Sequence, residues 1–345
     1  MLYMFNKAKF TAIAAGVMFA ATMGAAQAAD DVLIGSCIYK FDDTFMTGVR
    51  NNMEKAAADL KADIELVDSQ NRQPMQNDQV DTFITKGVTA LVINPVDRSA
   101  AGPLVDKAKG ENLPIVFINR EPDKSILDGF DKAWYVGAKA EESGTIGGQL
   151  IVDYFKAHPE ADKNGDGVIQ YILIKGEQGH QDATLRSEYC VKAMKDAGMK
   201  IEEIGADNAN WDKVQGHDKM KNFITAKGID AIEAVLCNND DMALGAIEAL
   251  KSEGYNTGKD PKKYIPVTGV DATAPALQAI AAGQMLGTSL NDAYNQGTAA
   301  VRIANQASKG EAVTDESIGY KITDGKYVWI PYVKVTQENY KDFMK

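Results

Sequence analysis

The chain has 345 residues, of which 45% are hydrophobic and 25% charged, a balance that suits one large or two ordinary globular domains. Its formal charge of −11 argues against a nucleic-acid partner, which would need basic stripes. No apolar run is long enough to cross a membrane as a helix.

The first segment reads as a secretory signal peptide. Lys7 and Lys9 form a positive start, Ala12 to Met23 is a short apolar run, and Ala26-Gln27-Ala28 is a small-x-small cleavage site. Cleavage before Ala29 would remove residues 1–28 and export the rest. That would take away two of the 37 basic residues and none of the 48 acidic ones, moving the formal charge from −11 to −13.

From there strand and helix patterns alternate. The spacing predicts strands over 32–38, 64–67, 90–93, 115–118 and 134–136, separated by helices over 45–60, 75–86 and 99–109. A second round follows, with strands over 168–174, 201–205, 234–237 and 265–270. Helices are expected over 143–157, 183–197, 213–225 and 242–252. The strands read LVIN, IVFIN and YILI, apolar throughout, as expected for parallel strands covered on both faces. The fold class is therefore α/β, with two similar parallel sheets. The residue pattern assigns no element beyond Val270.

Inside the second round, after the 143–157 helix and running into the 168–174 strand, lies DKNGDGVIQ, residues 162–170. Asp162, Asn164 and Asp166 hold positions 1, 3 and 5 of an EF-hand calcium loop, Gly167 position 6 and Gln170 position 9. Position 12 is Leu173 where a bidentate Glu should stand, and a strand follows in place of a helix. From spacing alone, a calcium loop and an Asx-rich turn without metal both fit.

In parallel sheets, ligands sit beyond the carboxyl ends of the strands. Those ends here carry Asp43 and Phe45, Asn119 and Arg120, His180 with Asp182 and Arg186, Asn239, and Asp271; Trp211 follows in the run Asn208 to Asp212. Taken singly, an Asp or Asn at such a place serves as a helix N-cap. As a set with two aromatics they suit a sugar. Carboxylate, amide and guanidinium groups grip vicinal hydroxyls with two atoms at once, and the C–H faces of the ring lie against Phe45 and Trp211.

Signals for catalysis are poor. GYNTGKD at 254–260 has the wrong spacing for a phosphate loop, GTIGG at 144–148 is no dinucleotide fingerprint, and no nucleophile elbow occurs. The histidines are His158, His180 and His217, and no nucleophile stands beside His180. Cys37, Cys190 and Cys237 are far apart and odd in number, which argues for buried apolar residues and against a disulfide framework.

Several longer motifs carry a resemblance: IYKFDD-x-F at 38–45, SQN at 69–71, KGV-x-AL at 86–91, GE-x-GH-x-DA at 176–183, NND-x-MA-x-GA at 238–246, GVDA at 269–272 and LNDA-x-NQ at 290–296. From Ala29 onward the chain resembles the periplasmic sugar-binding proteins of ABC importers, type I fold, and within them the branch that takes up D-galactose and D-glucose. The resemblance implies two Rossmann-like lobes joined by a three-strand hinge, the first formed by 29–138 and 291–328, the second by 139–290 and 329–345. It implies a monomer that closes on one sugar, docks on an inner-membrane permease and in some members also on a chemoreceptor. Phe45 and Trp211 match the stacking aromatics. Asp43, Asn119, His180, Asp182, Arg186, Asn239, Asp271 and Asn291 match the hydrogen-bonding residues. Arg120 stands where a Lys is usual, and Cys37 where a polar residue is usual. The family also implies a structural calcium ion, held by Asp162, Asn164, Asp166, the Val168 carbonyl, Gln170 and, from far along the chain, both oxygens of Glu233.

A sugar-responsive repressor shares this core fold but carries an N-terminal DNA-binding headpiece, where this chain has signal-peptide features. A periplasmic sugar-modifying enzyme would need a nucleophile or acid pair at the strand ends.

Overall fold

The structure is a computed structural model and describes residues 31–344; the expected signal peptide lies outside the described residues. The elements in chain order are β1 (Leu33–Ile38), α1 (Thr44–Asp59), β2 (Asp63–Asp68), α2 (Gln73–Lys86), β3 (Ala90–Ile93), α3 (Ala101–Gly110), β4 (Ile115–Ile118), α4 (Lys124–Asp128) and β5 (Ala133–Gly137). Then come α5 (Ala140–Ala157), β6 (Ile169–Lys175), α6 (Gln181–Asp196), β7 (Ile201–Asn208), α7 (Lys213–Lys227), β8 (Ala234–Cys237), α8 (Asp240–Ser252), β9 (Val267–Thr268), α9 (Ala274–Ala281) and β10 (Gly287–Leu290). The chain closes with α10 (Ala293–Ser308), α11 (Asp315–Ile318), β11 (Ile322–Thr323), β12 (Tyr327–Trp329) and β13 (Val333–Thr336).

These strands form two sheets, ordered β2-β1-β3-β4-β5-β12-β11 and β7-β6-β8-β9-β10-β13. The first five strands of each follow the same winding, with the second strand outside the first and the third on its other side. All pair in parallel except β11 on β12 and β13 on β10. Strand β1 shows why the pattern is apolar throughout: Ile34 and Ile38 enter one buried cluster while Cys37 enters another on the opposite face. Full burial of such an Ile or Leu stabilises by roughly 1.5–3 kcal/mol. Helix α10 packs on α1 and across β3 and β4, so a late segment completes the first lobe. Helix α5 packs on α6 and β10 in the second.

The chain passes between the sheets three times: from β5 to α5, from β10 to α10, and from β12 to β13. Two strands differ from the sequence pattern by more than one residue at an end. Strand β7 runs on to Asn208, because β6 offers pairing through Lys175, with a register shift at Tyr171/Ile172. Strand β9 keeps only Val267 and Thr268. Pro266 has no N–H to donate, and Asp271, at φ 122°, turns the chain out of the extended form. Cys37, Cys190 and Cys237 are free and buried, as their spacing implies.

Candidate functional site

The carboxyl ends of both sheets face one cleft. All eleven residues singled out above line the same cavity in it: Asp43, Phe45, Asn119 and Arg120 from the first lobe, His180, Asp182, Arg186, Trp211, Asn239 and Asp271 from the second, and Asn291 where β10 leads into α10. Two further residues line it that the sequence reading did not select, Tyr39 and Met46. Tyr39 follows β1 directly, so its position beyond a strand end was a usable signal.

Local structure explains the placement. Asp43 caps α1, accepting the Met46 N–H at 2.7 Å on one oxygen, while its other oxygen accepts the Tyr39 hydroxyl at 2.6 Å. Asn239 caps α8 through Met242 N–H at 3.0 Å, and its amide donates to the Trp211 carbonyl at 3.2 Å. N-capping and cavity lining thus coexist in single residues. Asn119, Trp211 and Asp271 have left-handed backbone, with φ of 65°, 63° and 122°. A bulky aromatic seldom adopts that conformation, and here it coincides with a ring presented to the cleft. Gly176 leaves room for that ring: a Cβ there would lie 2.1 Å from Trp211 Cη2. The ring of His180 meets Trp211 edge-on, centroids 5.0 Å apart.

The electrostatics suit a neutral polyol. Burial pushes the His180 pKa well below its ordinary value, and Arg120, Arg186 and Arg98 push the same way, so the imidazole is neutral. Its Nδ1 accepts the Asp182 N–H at 3.1 Å, which leaves the proton on Nε2 as a donor. Burial raises the Asp182 pKa against the pull of Arg186 and Arg120. Burial raises that of Asp271 further, partly offset by Arg186. Arg186 donates to Tyr332 Oη at 3.0 Å, to Asp182 at 3.2 Å and to the Asn238 carbonyl at 2.8 Å. Its Nε and the Trp211 Nε1 are buried without a hydrogen-bond partner in the protein. Buried orphan donors beside a cavity cost about 1–3 kcal/mol each unless a ligand accepts from them. Asn291 donates to Asp271 at 3.2 Å and accepts from Gln296, which fixes the orientation of its amide.

The second group of selected residues sits far along the second lobe. Asp162 accepts the Gly165 and Gly167 N–H groups, both at 2.8 Å, and Asn164 and Asp166 accept the next N–H groups along the loop. Gly167, at φ 73°, supplies the left-handed turn that position 6 requires. Parallel pairing of β6 with β8 puts Tyr171 beside Ala234, which brings Glu233 to Gln170. Glu233 is 1% exposed, and its two oxygens accept the Lys163 N–H at 2.6 Å and the Gln170 N–H at 3.1 Å; the Lys163 ammonium lies close by, donating to the Ile232 carbonyl at 2.6 Å. Burial raises its pKa against those two N–H bonds, and Asp162 adds to the rise. Gln170 donates to Asp166 at 3.1 Å. The Val168 backbone lies between, its N–H on Asp166 at 2.7 Å. Among the described residues no group of three Asp, Glu, His or Cys side chains is gathered closely enough to hold a metal ion.

Known proteins show the same architecture. Across 341 residues the chain is 42% identical to the D-galactose/methyl-galactoside binding periplasmic protein MglB of Haemophilus influenzae, covering 98% of this chain and 100% of that one. It is 27% identical to the ribose import binding protein RbsB of Escherichia coli over 89% of this chain and 95% of that one. An ABC transporter solute binding protein from Bacillus halodurans, solved with bound myo-inositol, superposes with a TM-score of 0.76 at 29% identity, covering 92% of this chain and 98% of that one. Residues 34–312 match the periplasmic binding protein domain. Two lobes of the same winding, a polar cavity at facing strand ends and this match together show that the chain belongs to the periplasmic binding protein family.

Proposed function

We propose that the chain is the periplasmic hexose-binding component of an ABC importer, taking D-galactose and D-glucose, and that it is a carrier and not an enzyme. The observation that carries this is the convergence of eleven strand-end residues, two aromatics among them, on one cavity between two lobes. Phe45 and Trp211 would cover the C–H faces of a pyranose. Asp43, Asp182, Asp271, Asn119, Asn239 and Asn291 would take its hydroxyls, with Arg186 Nε, Trp211 Nε1 and His180 Nε2 as donors. That the relatives are named as binding proteins supports a carrier. The name of the Haemophilus relative supports galactose as a ligand. Closure on the sugar would present both lobes to a membrane permease, and a chemoreceptor is a second candidate partner. No helix among the described residues is long and apolar enough to cross a membrane, which suits a chain exported after cleavage before Ala29. Calorimetric titration with hexoses tests the reading. A sugar recovered chemically altered after incubation would favour a sugar-modifying enzyme.

The 162–170 loop is proposed to hold a structural calcium ion. Asp162, Asn164, Asp166, the Val168 carbonyl, Gln170 and Glu233 would hold it, an all-oxygen set that suits this cation. The support is the Glu233 carboxylate, buried beside the loop and hydrogen-bonded to the backbone N–H groups of Lys163 and Gln170. The ion would neutralise the gathered carboxylates and tie the loop to β8. Loss of a melting-temperature response to calcium in Glu233→Gln tests this.

A further inference from the structure

Arg120 does more than line the cavity. Its guanidinium lies 3.9 Å from the centroid of the Tyr39 ring, donates to the Val96 carbonyl, and pairs with Glu177 at 3.1 Å. Tyr39 and Val96 belong to the first lobe; Glu177 belongs to the second, in the turn between β6 and α6. The Arg120 side chain is 5% exposed and that of Glu177 21%, so the pair is largely withdrawn from water. Two more hydrogen bonds cross the cleft. Gln181 donates to Glu121 at 3.2 Å beside this pair, and Thr44 donates to Asp241 at 2.7 Å at a separate place on the rim. Glu177 does not line the cavity, whereas it does line the adjoining rim cavity with Arg120, Glu121 and Gln181.

We propose that Arg120 and Glu177 form an interlobe latch that holds the closed form and sets how fast ligand leaves. The inference rests on the sugar-carrier reading for its ligand, and on the ion pair for its mechanism. Arg120 is fixed in advance by the Tyr39 ring and the Val96 carbonyl, so little side-chain freedom is lost when Glu177 arrives. A planar guanidinium meets ring face, carbonyl and carboxylate together, which the single ammonium of a Lys cannot do. The lobes cannot part without separating the pair. Ligand entry precedes closure and needs no contact with Glu177. The latch therefore acts on dissociation and not on association.

The test compares wild type with Glu177→Gln, which keeps the shape, removes the charge and leaves the cavity lining intact. D-galactose release is followed by stopped-flow tryptophan fluorescence at several salt concentrations. Dissociation is expected to quicken by roughly threefold to thirtyfold with association nearly unchanged. Because the pair is largely withdrawn from water it is screened far less than a surface pair, so the gap between variant and wild type should persist at high salt. Equal dissociation rates would overturn the latch, as would a gap that vanishes at high salt or a change confined to association. Failure of the wild type to bind any hexose would count against the carrier reading alone. Spin labels placed across the cleft of the sugar-free protein would then decide: fewer short distances in Glu177→Gln support the latch, and identical distributions overturn it.

Discussion

Asp182 shows how much a single cavity residue carries. It is buried, it accepts from Arg186, and it lines the cavity. Asp182→Ala removes a charged acceptor and leaves Arg186 short of a partner, so galactose binding should weaken by roughly 2–4 kcal/mol in calorimetry. A loss below a factor of about two in Kd would remove Asp182 from the binding set. Trp211 has two duties, since its ring lines the cavity and also joins the second lobe's buried cluster. Gly176→Ala separates them, because the added methyl would displace the ring while leaving it in place chemically. Weakened sugar binding with altered tryptophan fluorescence is expected, and unchanged values of both would contradict the packing described. Asp240 lies just outside the cavity, accepting from the Thr288 hydroxyl at 2.6 Å and the Thr273 N–H at 2.8 Å. Burial pushes its pKa up to about 7, and Asp241 adds to the rise. An unfolded Asp titrates near 3.9, so the stability linked to Asp240 is fully present below about pH 4 and is lost as pH rises to about 7. Asp240→Asn mimics the protonated form, with Thr288 turning its hydroxyl to accept. The melting temperature of the variant relative to wild type should therefore climb between pH 5 and pH 8; a difference independent of pH would count against a raised pKa.

At the scale of elements, the loop before β6 is the part whose purpose the chain order conceals. Asp162 to Gln170 announce a cation site by spacing, but Glu233 lies more than sixty residues on and reaches the loop only because β8 pairs with β6. If calcium binds there, chelation should lower the melting temperature while sugar still binds near room temperature, because the ion favours only the folded loop. Glu233→Gln should abolish the response; a variant that kept its full calcium shift in calorimetry would exclude Glu233 as a ligand. The same contrast between local and distant information explains which elements were legible. Strands such as Leu91–Ile93 and Ile115–Ile118 are apolar on both faces and read directly. Strand β10 does not: Thr288 and Ser289 are buried but polar, because Thr288 donates to Asp240 and Ser289 to the Ser143 carbonyl. Strand β9 has two residues, and β12 pairs with β5 from across almost two hundred residues of chain. No period is available in segments so short or so polar. Candidate site residues were easier, since Asp, Asn and Arg at strand ends stand out against apolar strands. Tyr39 was passed over because an aromatic after a strand reads equally well as core.

Over the whole molecule, three chain crossings join two lobes of matching winding, and the cavity lies where their strand ends face each other. Polar contacts join the lobes across the cleft, among them Arg120 with Glu177, Gln181 with Glu121, and Thr44 with Asp241. Each lobe keeps its own buried clusters, so the lobes can separate without exposing a core. Sugar should therefore reduce the radius of gyration in small-angle scattering, as the lobes close over it. No change at saturating hexose would mean that the cleft does not open. The central claim, that this cleft is a hexose site, is tested most directly by calorimetric titration of the mature chain with D-galactose, D-glucose, D-ribose and D-xylose. Saturable binding of one galactose or glucose per chain, with the pentoses far weaker, is the expected result. Tight ribose binding with no response to either hexose would contradict it.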